Sequence, residues 1–194
     1  MNRRTHDLPP LTGFANVVRE ARYSEFFRQA IGLVLMPVYA AVSNPTPSAF
    51  VTGAAVAILG MLFRVYASGF IVKNRELATT GPYSLVRHPL YTGNLMLLIG
   101  FTFASGQWWT LIVSAAFWWF YYPAAIDYED RKLHGIFGDE WRAWSSTVPA
   151  VIPRGVRTRG GGRWSLRTCW KENRELIIVL YTLACLVYIA RHFG

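Results

Sequence analysis

Cysteine is almost missing from this 194-residue chain, which has only Cys169 and Cys185. Two such residues cannot form a disulfide framework, and Cys185 sits inside an apolar run. Neither has the clustered ligands that a metal site needs, so no metal is expected and both are read as free thiols. Charge is scarce as well: 16% of the residues are charged, against about a quarter in a soluble domain. Acidic residues are the scarcest, 11 against 20 Lys and Arg, which leaves a net charge of +9. The opening 25 residues contain no apolar run, so the pattern of a secretory signal peptide is not there. No internal repeat is visible. Together these absences exclude a disulfide-stapled scaffold and count against an ordinary soluble domain.

Apolar residues are abundant, at 53%, and they are bunched. Four runs come first, at about Phe27–Val42, Ala49–Ile71, Leu90–Ala104 and Trp108–Ile126, and a fifth, Leu176–Ala190, follows a polar gap. At roughly 15 to 23 residues each, they bracket the length that crosses a bilayer. The connectors Ser43–Ser48 and Ser105–Gln107 carry no charge, whereas Lys and Arg gather before the first run, between the second and third, and between the fourth and fifth. If every run spans, those three basic regions share one face, and the excess of positive charge makes that face cytoplasmic. Only Arg64 and Arg191 break the pattern. The positive charge is therefore read as an orientation signal and an attraction to anionic lipid, not as a nucleic-acid footprint.

The expected fold is all-α, a polytopic integral membrane protein with about five transmembrane helices and an interfacial amphipathic segment. Four regions are expected: a basic interfacial arm (1–25), a membrane core (26–152), a basic Gly-rich linker that is mobile and lipid-facing (153–173) and a C-terminal apolar helix (174–194). Pro37 should kink the first helix. The small residues of the second (Gly53, Ala54, Ala55, Ala57, Gly60) permit close helix packing. The tryptophans and tyrosines at the two ends of the fourth read as interfacial belts. Over Asp127–Thr147, Leu133, Ile136, Phe137, Trp141 and Trp144 keep helical spacing among charges. The pattern predicts a surface helix broken at Gly138 and restarted with Asp139 as a cap.

The chemistry concentrates in the connector Thr79–Gly93. Gly81-Pro82 sets a tight turn, and Arg87-His88 places a cation and a titratable imidazole ahead of a helix whose first turn suits Pro89. Each residue also has a plainer reading. Arg87 serves equally as a positive-inside anchor, His88 as an interfacial histidine, and Glu129 and Asp130 as a solvated helix face. Arg64 either snorkels to the headgroups or faces the site.

Gly81-Pro82-Tyr83, Arg87-His88-Pro89-Leu90-Tyr91-Thr92-Gly93, and Glu129-Asp130 with Leu133 and Phe137-Gly138-Asp139-Glu140-Trp141 together resemble the isoprenylcysteine carboxyl methyltransferase family. The related phospholipid N-methyltransferases share its plan. The resemblance covers about residues 50–150, and Gly60–Ala67 and Lys73–Leu77 look like its bacterial members. It implies a membrane enzyme using S-adenosylmethionine in a cytosol-facing pocket, with a lipophilic or prenylated acceptor arriving from the bilayer. Carried over residue by residue, Gly81, Pro82, Tyr83, Arg87, His88, Pro89 and Tyr91 line the cofactor site, and Glu129 reaches it. Glu129 and Asp130 are the candidate bases, and Arg64 the candidate anchor for an acidic acceptor. Chemistry agrees with these roles: a carboxylate answers the cations of the donor, Arg87 or His88 its carboxylate, and tyrosines its adenine and sulfonium. Ala125 stands where eukaryotic-type members place an arginine, which opens the identity of the acceptor. Carboxyl, hydroxyl and phospholipid amine acceptors stay open, as do an NADPH-dependent sterol reductase and a non-catalytic scaffold. The expected place is a bacterial inner membrane, and the oligomeric state is open.

Overall fold

A computed structural model describes residues 4–71, 75–155 and 161–192. Lys73 and Asn74, the 156–160 part of the basic linker and both chain ends lie outside the described residues. The described chain is helical throughout: α1 (Gly13–Tyr23), α2 (Glu25–Ala41), α3 (Pro47–Ser68), α4 (Pro89–Ser105), α5 (Trp109–Ser145) and α6 (Glu175–His192). A 3-10 turn at Gly81–Ser84 and a π turn at Thr168–Glu172 complete it. The helix ends follow local chemistry. The Ser24 hydroxyl accepts from the N–H of Phe27, and that of Thr46 from Ala49, with Pro47 in the first turn of α3. Gly106 closes α4 in the left-handed region at φ 67°. α2 runs through Pro37 as one helix.

The five apolar runs coincide with α2 to α6, but only α3 and α6 are long and apolar enough to cross a membrane by length and composition, among the described residues. α2 and α4 have 17 residues each. At the helical rise that is about 25 Å, short of the roughly 30 Å hydrocarbon core. The outward faces are nevertheless apolar all round, with Val34, Leu59, Phe103, Leu111 and Leu180 each at least half exposed.

α3 and α4 form the tightest pair. A Cβ on Gly100 would lie 2.5 Å from the amide nitrogen of Ala57, and one on Gly53 would lie 2.3 Å from that of Ala104. Gly60 faces Gly93, its would-be Cβ 2.9 Å from the Gly93 carbonyl oxygen. The two backbones therefore meet along a seam that only hydrogen side chains allow. Tyr39, Leu97, Phe101 and Ile189 close the core around it.

Three expectations change. The surface helix is not separate: α5 continues from the apolar run through Asp127 and breaks at Gly138, whose φ of 54° no neighbouring residue matches. Nothing between Ile126 and Asp127 stops a helix, so it carries its charges out of the apolar layer unbroken. The described end of the linker is docked against the end of α3. Ser165 donates its N–H to the Gly69 carbonyl (3.0 Å) and the Asn173 amide donates to that of Ser68 (2.8 Å). Those acceptors are the carbonyls that the end of α3 leaves unsatisfied. The N-terminal arm is clamped to α5, with Tyr23 donating to Asp127 (2.8 Å) and Arg131 pairing with both Asp127 and Asp7.

Gly100→Val should force α3 and α4 apart and cost about 1–3 kcal/mol or more, as overpacked cores do. Gly32→Ala, whose Cβ meets Phe117 at an ordinary 3.5 Å, should leave the melting temperature unchanged or higher. Thermal unfolding of the two proteins in detergent checks the contrast.

Candidate active site

Gly81 opens the 3-10 turn at φ 58°, and a Cβ there would fall 2.8 Å from the Phe70 ring, so the position demands glycine. The turn buries Pro82 and packs Tyr83 against Ala67 and Trp144. Burial pushes the Tyr83 phenol well above its ordinary pKa, which keeps it protonated. The strand of chain leaving α5 then folds back across the connector. Arg87 donates its N–H to the Pro149 carbonyl (2.8 Å), His88 to that of Ala150 (2.9 Å), and the Thr92 hydroxyl to that of Val151 (2.6 Å). These bonds hold Arg87 and His88 at the head of α4, with Pro89 in its first turn.

Asp130 of α5 joins the two. Arg87 reaches it through Nη2 (2.8 Å) and Nε (3.3 Å), and His88 Nε2 lies 2.9 Å from its Oδ1. The remaining Arg87 nitrogen donates to the carbonyls of Val148 (2.8 Å) and Ser145 (3.2 Å). Burial works against the Asp130 charge, but the hydrogen bonds from His88 and Arg87 outweigh it and hold its pKa below the usual carboxylate value. Both Arg87 and His88 are thus committed to a carboxylate of the protein itself. The His88 ring in turn stacks on Tyr91 at 5.5 Å.

Arg64 does not snorkel. It is buried and gives Nε (3.1 Å) and Nη2 (2.7 Å) to Glu175 at the head of α6, and Nη1 to Asn94 (2.6 Å) and the Leu90 carbonyl (3.2 Å). Gly93 makes the space, since a Cβ there would sit 2.3 Å from Arg64 Cγ. A cation this buried persists only when paired, and Glu175 supplies the pair.

A cavity of about 810 Å³ opens between α2, α4, α5 and the connector. Arg64, Tyr83, Arg87 and His88 line it, as do Pro89, Tyr91 and Glu129. Gly81, Pro82 and Asp130 do not; they stand behind its wall and shape it. Beside these polar residues, Met36, Leu97, Leu98, Phe101 and Phe117 line it with apolar surface. Its volume falls in the range of about 300–1,000 Å³ typical of small-molecule sites. The polar donors fit a sulfonium nucleoside amino acid. Glu129 is a carboxylate whose nearest cation, Lys132, is 4.0 Å away, Tyr83 and Tyr91 offer rings, and the buried Trp144 indole N–H has no partner. Among the described residues no three His, Cys, Asp or Glu side chains stand together to hold a metal ion.

Sequence reasoning missed Arg28, Asn94, Trp144 and Glu175. Arg28 and Glu175 had a signal: each is a charge at the edge of an apolar run. Asn94 and Trp144 had none, because their place depends on how α4 and the end of α5 meet the connector.

Asp130→Asn should destabilise the protein by about 3 kcal/mol at neutral pH, since it leaves a largely buried Arg87 without its counter-charge. Because the folded pKa of Asp130 is lowered, its contribution is present above about pH 4 and fades as pH falls below that value. Melting curves of wild type and variant should therefore converge only on that acid side.

Residues 47–140 match the family model of the phospholipid methyltransferases. The cobalt-zinc-cadmium resistance protein of Cupriavidus metallidurans is 37% identical over 115 residues, 59% of this chain and 52% of its own length. The nickel-cobalt-cadmium resistance protein of Alcaligenes xylosoxydans xylosoxydans is 36% identical over 103 residues, 53% of this chain and 47% of its own. The chain spans about half the length of the curated relatives it matches. No solved structure matches it significantly. The matched segment carries α3, the connector, α4 and α5 as far as Glu140, and over that segment the chain is similar to the phospholipid methyltransferases.

Proposed function

We propose that the protein is an S-adenosylmethionine-dependent methyltransferase embedded in a bacterial inner membrane. It acts on a lipophilic acceptor at the cytoplasmic face. The observation that carries this reading is the cavity, whose lining joins the Glu129 carboxylate, tyrosine rings and Trp144, with its unpaired indole N–H, to the apolar side chains Met36, Leu97, Leu98, Phe101 and Phe117. Such a shape admits a soluble donor and an apolar acceptor to one chamber. α2 to α6 cross as five spans, with the short α2 and α4 accommodated by local thinning or by interfacial residues at their ends. Their half-exposed apolar faces meet lipid, and the connector with the polar half of α5 lies on the basic, cytoplasmic side.

The bound donor supplies an electrophilic methyl group on a sulfonium. The residues of the chain position and screen it. Glu129 balances the positive charge, Tyr83 presents its ring to cations, and Trp144 donates to an acceptor atom. Arg87, His88 and Asp130 act as a rigid clasp beneath the site, and positioning is the main demand of an in-line displacement. Asp130, with its lowered pKa and its bonds to Arg87 and His88, is a positioning residue and not a base; Glu129 is the base if the acceptor is an amine or hydroxyl. The two relatives are named for resistance to metal cations, and methylation of a membrane lipid, which alters the surface those cations meet, is one route by which such an activity bears on that trait.

Calorimetric titration of the protein in detergent with S-adenosylhomocysteine and with NADPH tests the assignment. Saturable binding of the first alone is expected, weakened about tenfold in Glu129→Gln by the loss of one charge-assisted contact. Binding of NADPH alone would replace the reading with a reductase. Silence from both in folded protein would leave a scaffold.

A further inference from the structure

The cations around the cavity are nearly all spoken for. Arg64 is matched by Glu175, Arg87 by Asp130, and Arg4 by Glu25, while Lys132 stands 4.0 Å from Glu129 and Arg174 is exposed to solvent. Arg28 is the exception. It lines the cavity half-buried, and among the described residues no carboxylate lies within ion-pair distance of it. Its neighbour Glu25 on the same helix is occupied by Arg4 and accepts from the Gln29 amide (2.9 Å). What holds Arg28 in place is aromatic. Its guanidinium carbon sits 5.2 Å above the Tyr91 ring centroid and 5.8 Å from that of Tyr122, and Nη1 donates to the Tyr91 hydroxyl (3.3 Å).

Ring faces steady a guanidinium but accept few of its five N–H donors. The group is therefore oriented in advance with donors to spare, in a setting where leaving a charge unmatched is costly. The rest of α2 continues the same face. Arg28, Gly32, Leu35, Met36 and Tyr39 all line the cavity, a helical stripe with the cation at one end and small or apolar residues below it. From Arg28 to Tyr39 the stripe runs about 16 Å along the helix, which is the form of a headgroup contact above an acyl slot. The reacting end is close by, since Tyr91 lies between Arg28 and the His88 ring.

We propose that Arg28 anchors the acceptor, binding an oxyanion, phosphate or carboxylate, at the head of a lipid whose chain lies along α2. This rests on the transferase reading above and assigns the acceptor contact to a helix outside the matched segment 47–140. It also replaces Arg64 in that role, because Glu175 already neutralises Arg64.

The test uses the full chain in detergent with three short-chain probes of equal length: a phosphatidyl lipid, a fatty carboxylate and a neutral diglyceride. Wild type should bind an anionic probe about tenfold or more tighter than the diglyceride, Arg28→Gln should lose that preference, and Arg28→Lys should recover part of it. Whichever anion binds identifies the headgroup class. Equal binding of all three probes by wild type, or a preference undiminished in Arg28→Gln, overturns the proposal. Titration of the same samples with S-adenosylhomocysteine separates the two failures. Its binding in Arg28→Gln shows a folded protein and tests the transferase reading independently of the headgroup preference.

Discussion

α3 and α4 approach so closely that no side chain fits between their backbones at Gly53, Gly60, Gly93 and Gly100, and the site follows from that contact. The seam brings the last turns of α3 beside the first turns of α4, which places Arg64 against Leu90 and Asn94. It also brings together the two ends of the connector, so that the connector must fold tightly over the end of the pair. The 3-10 turn at Gly81–Ser84 and the buried Pro82 and Tyr83 are the consequence. Wider helix spacing would leave Arg64 in the gap without its neighbours and the connector without a floor.

Two ion-paired clasps then close the chamber from opposite sides. Asp130 draws α5 onto Arg87 and His88, and Glu175 draws α6 onto Arg64. Each takes a cation that composition alone would leave available to a ligand and spends it on holding helices together. Buried pairs of this kind contribute little net stability, because desolvation offsets the attraction, but they fix which groups face which. The charged groups lining the cavity that are not committed to a partner on another helix are therefore fewer than the charges around it suggest, and Glu129 and Arg28 are among them.

Much of the fold was legible. Five apolar runs correspond to five helices, and apart from the far end of the fourth their ends lie within a few residues of those expected, because helix length, proline and glycine placement and capping hydroxyls act locally. The shape of the connector was legible for the same reason, since Gly81-Pro82 and Pro89 dictate a turn followed by a helix start. The break at Gly138 was legible too. The union of the fourth run with the amphipathic segment was not, because no stop signal separates Ile126 from Asp127 and the change of polarity there does not interrupt the backbone.

Sequence by itself determined which residues could be charged, where the backbone must turn and which faces are apolar. Tertiary structure decided the pairing. Arg64 read as either a snorkelling or a site residue until Glu175, 111 positions later, met it in the core. Asp130 read as a candidate base until Arg87 and His88 enclosed it, and Arg28 read as one more basic residue until the other cations lining the cavity had met carboxylates or solvent. Electrostatic partners across such separations depend on helix packing and not on local spacing. The role of a charge is set by what lies opposite it, and in this protein that is fixed by the glycine seam and the two clasps.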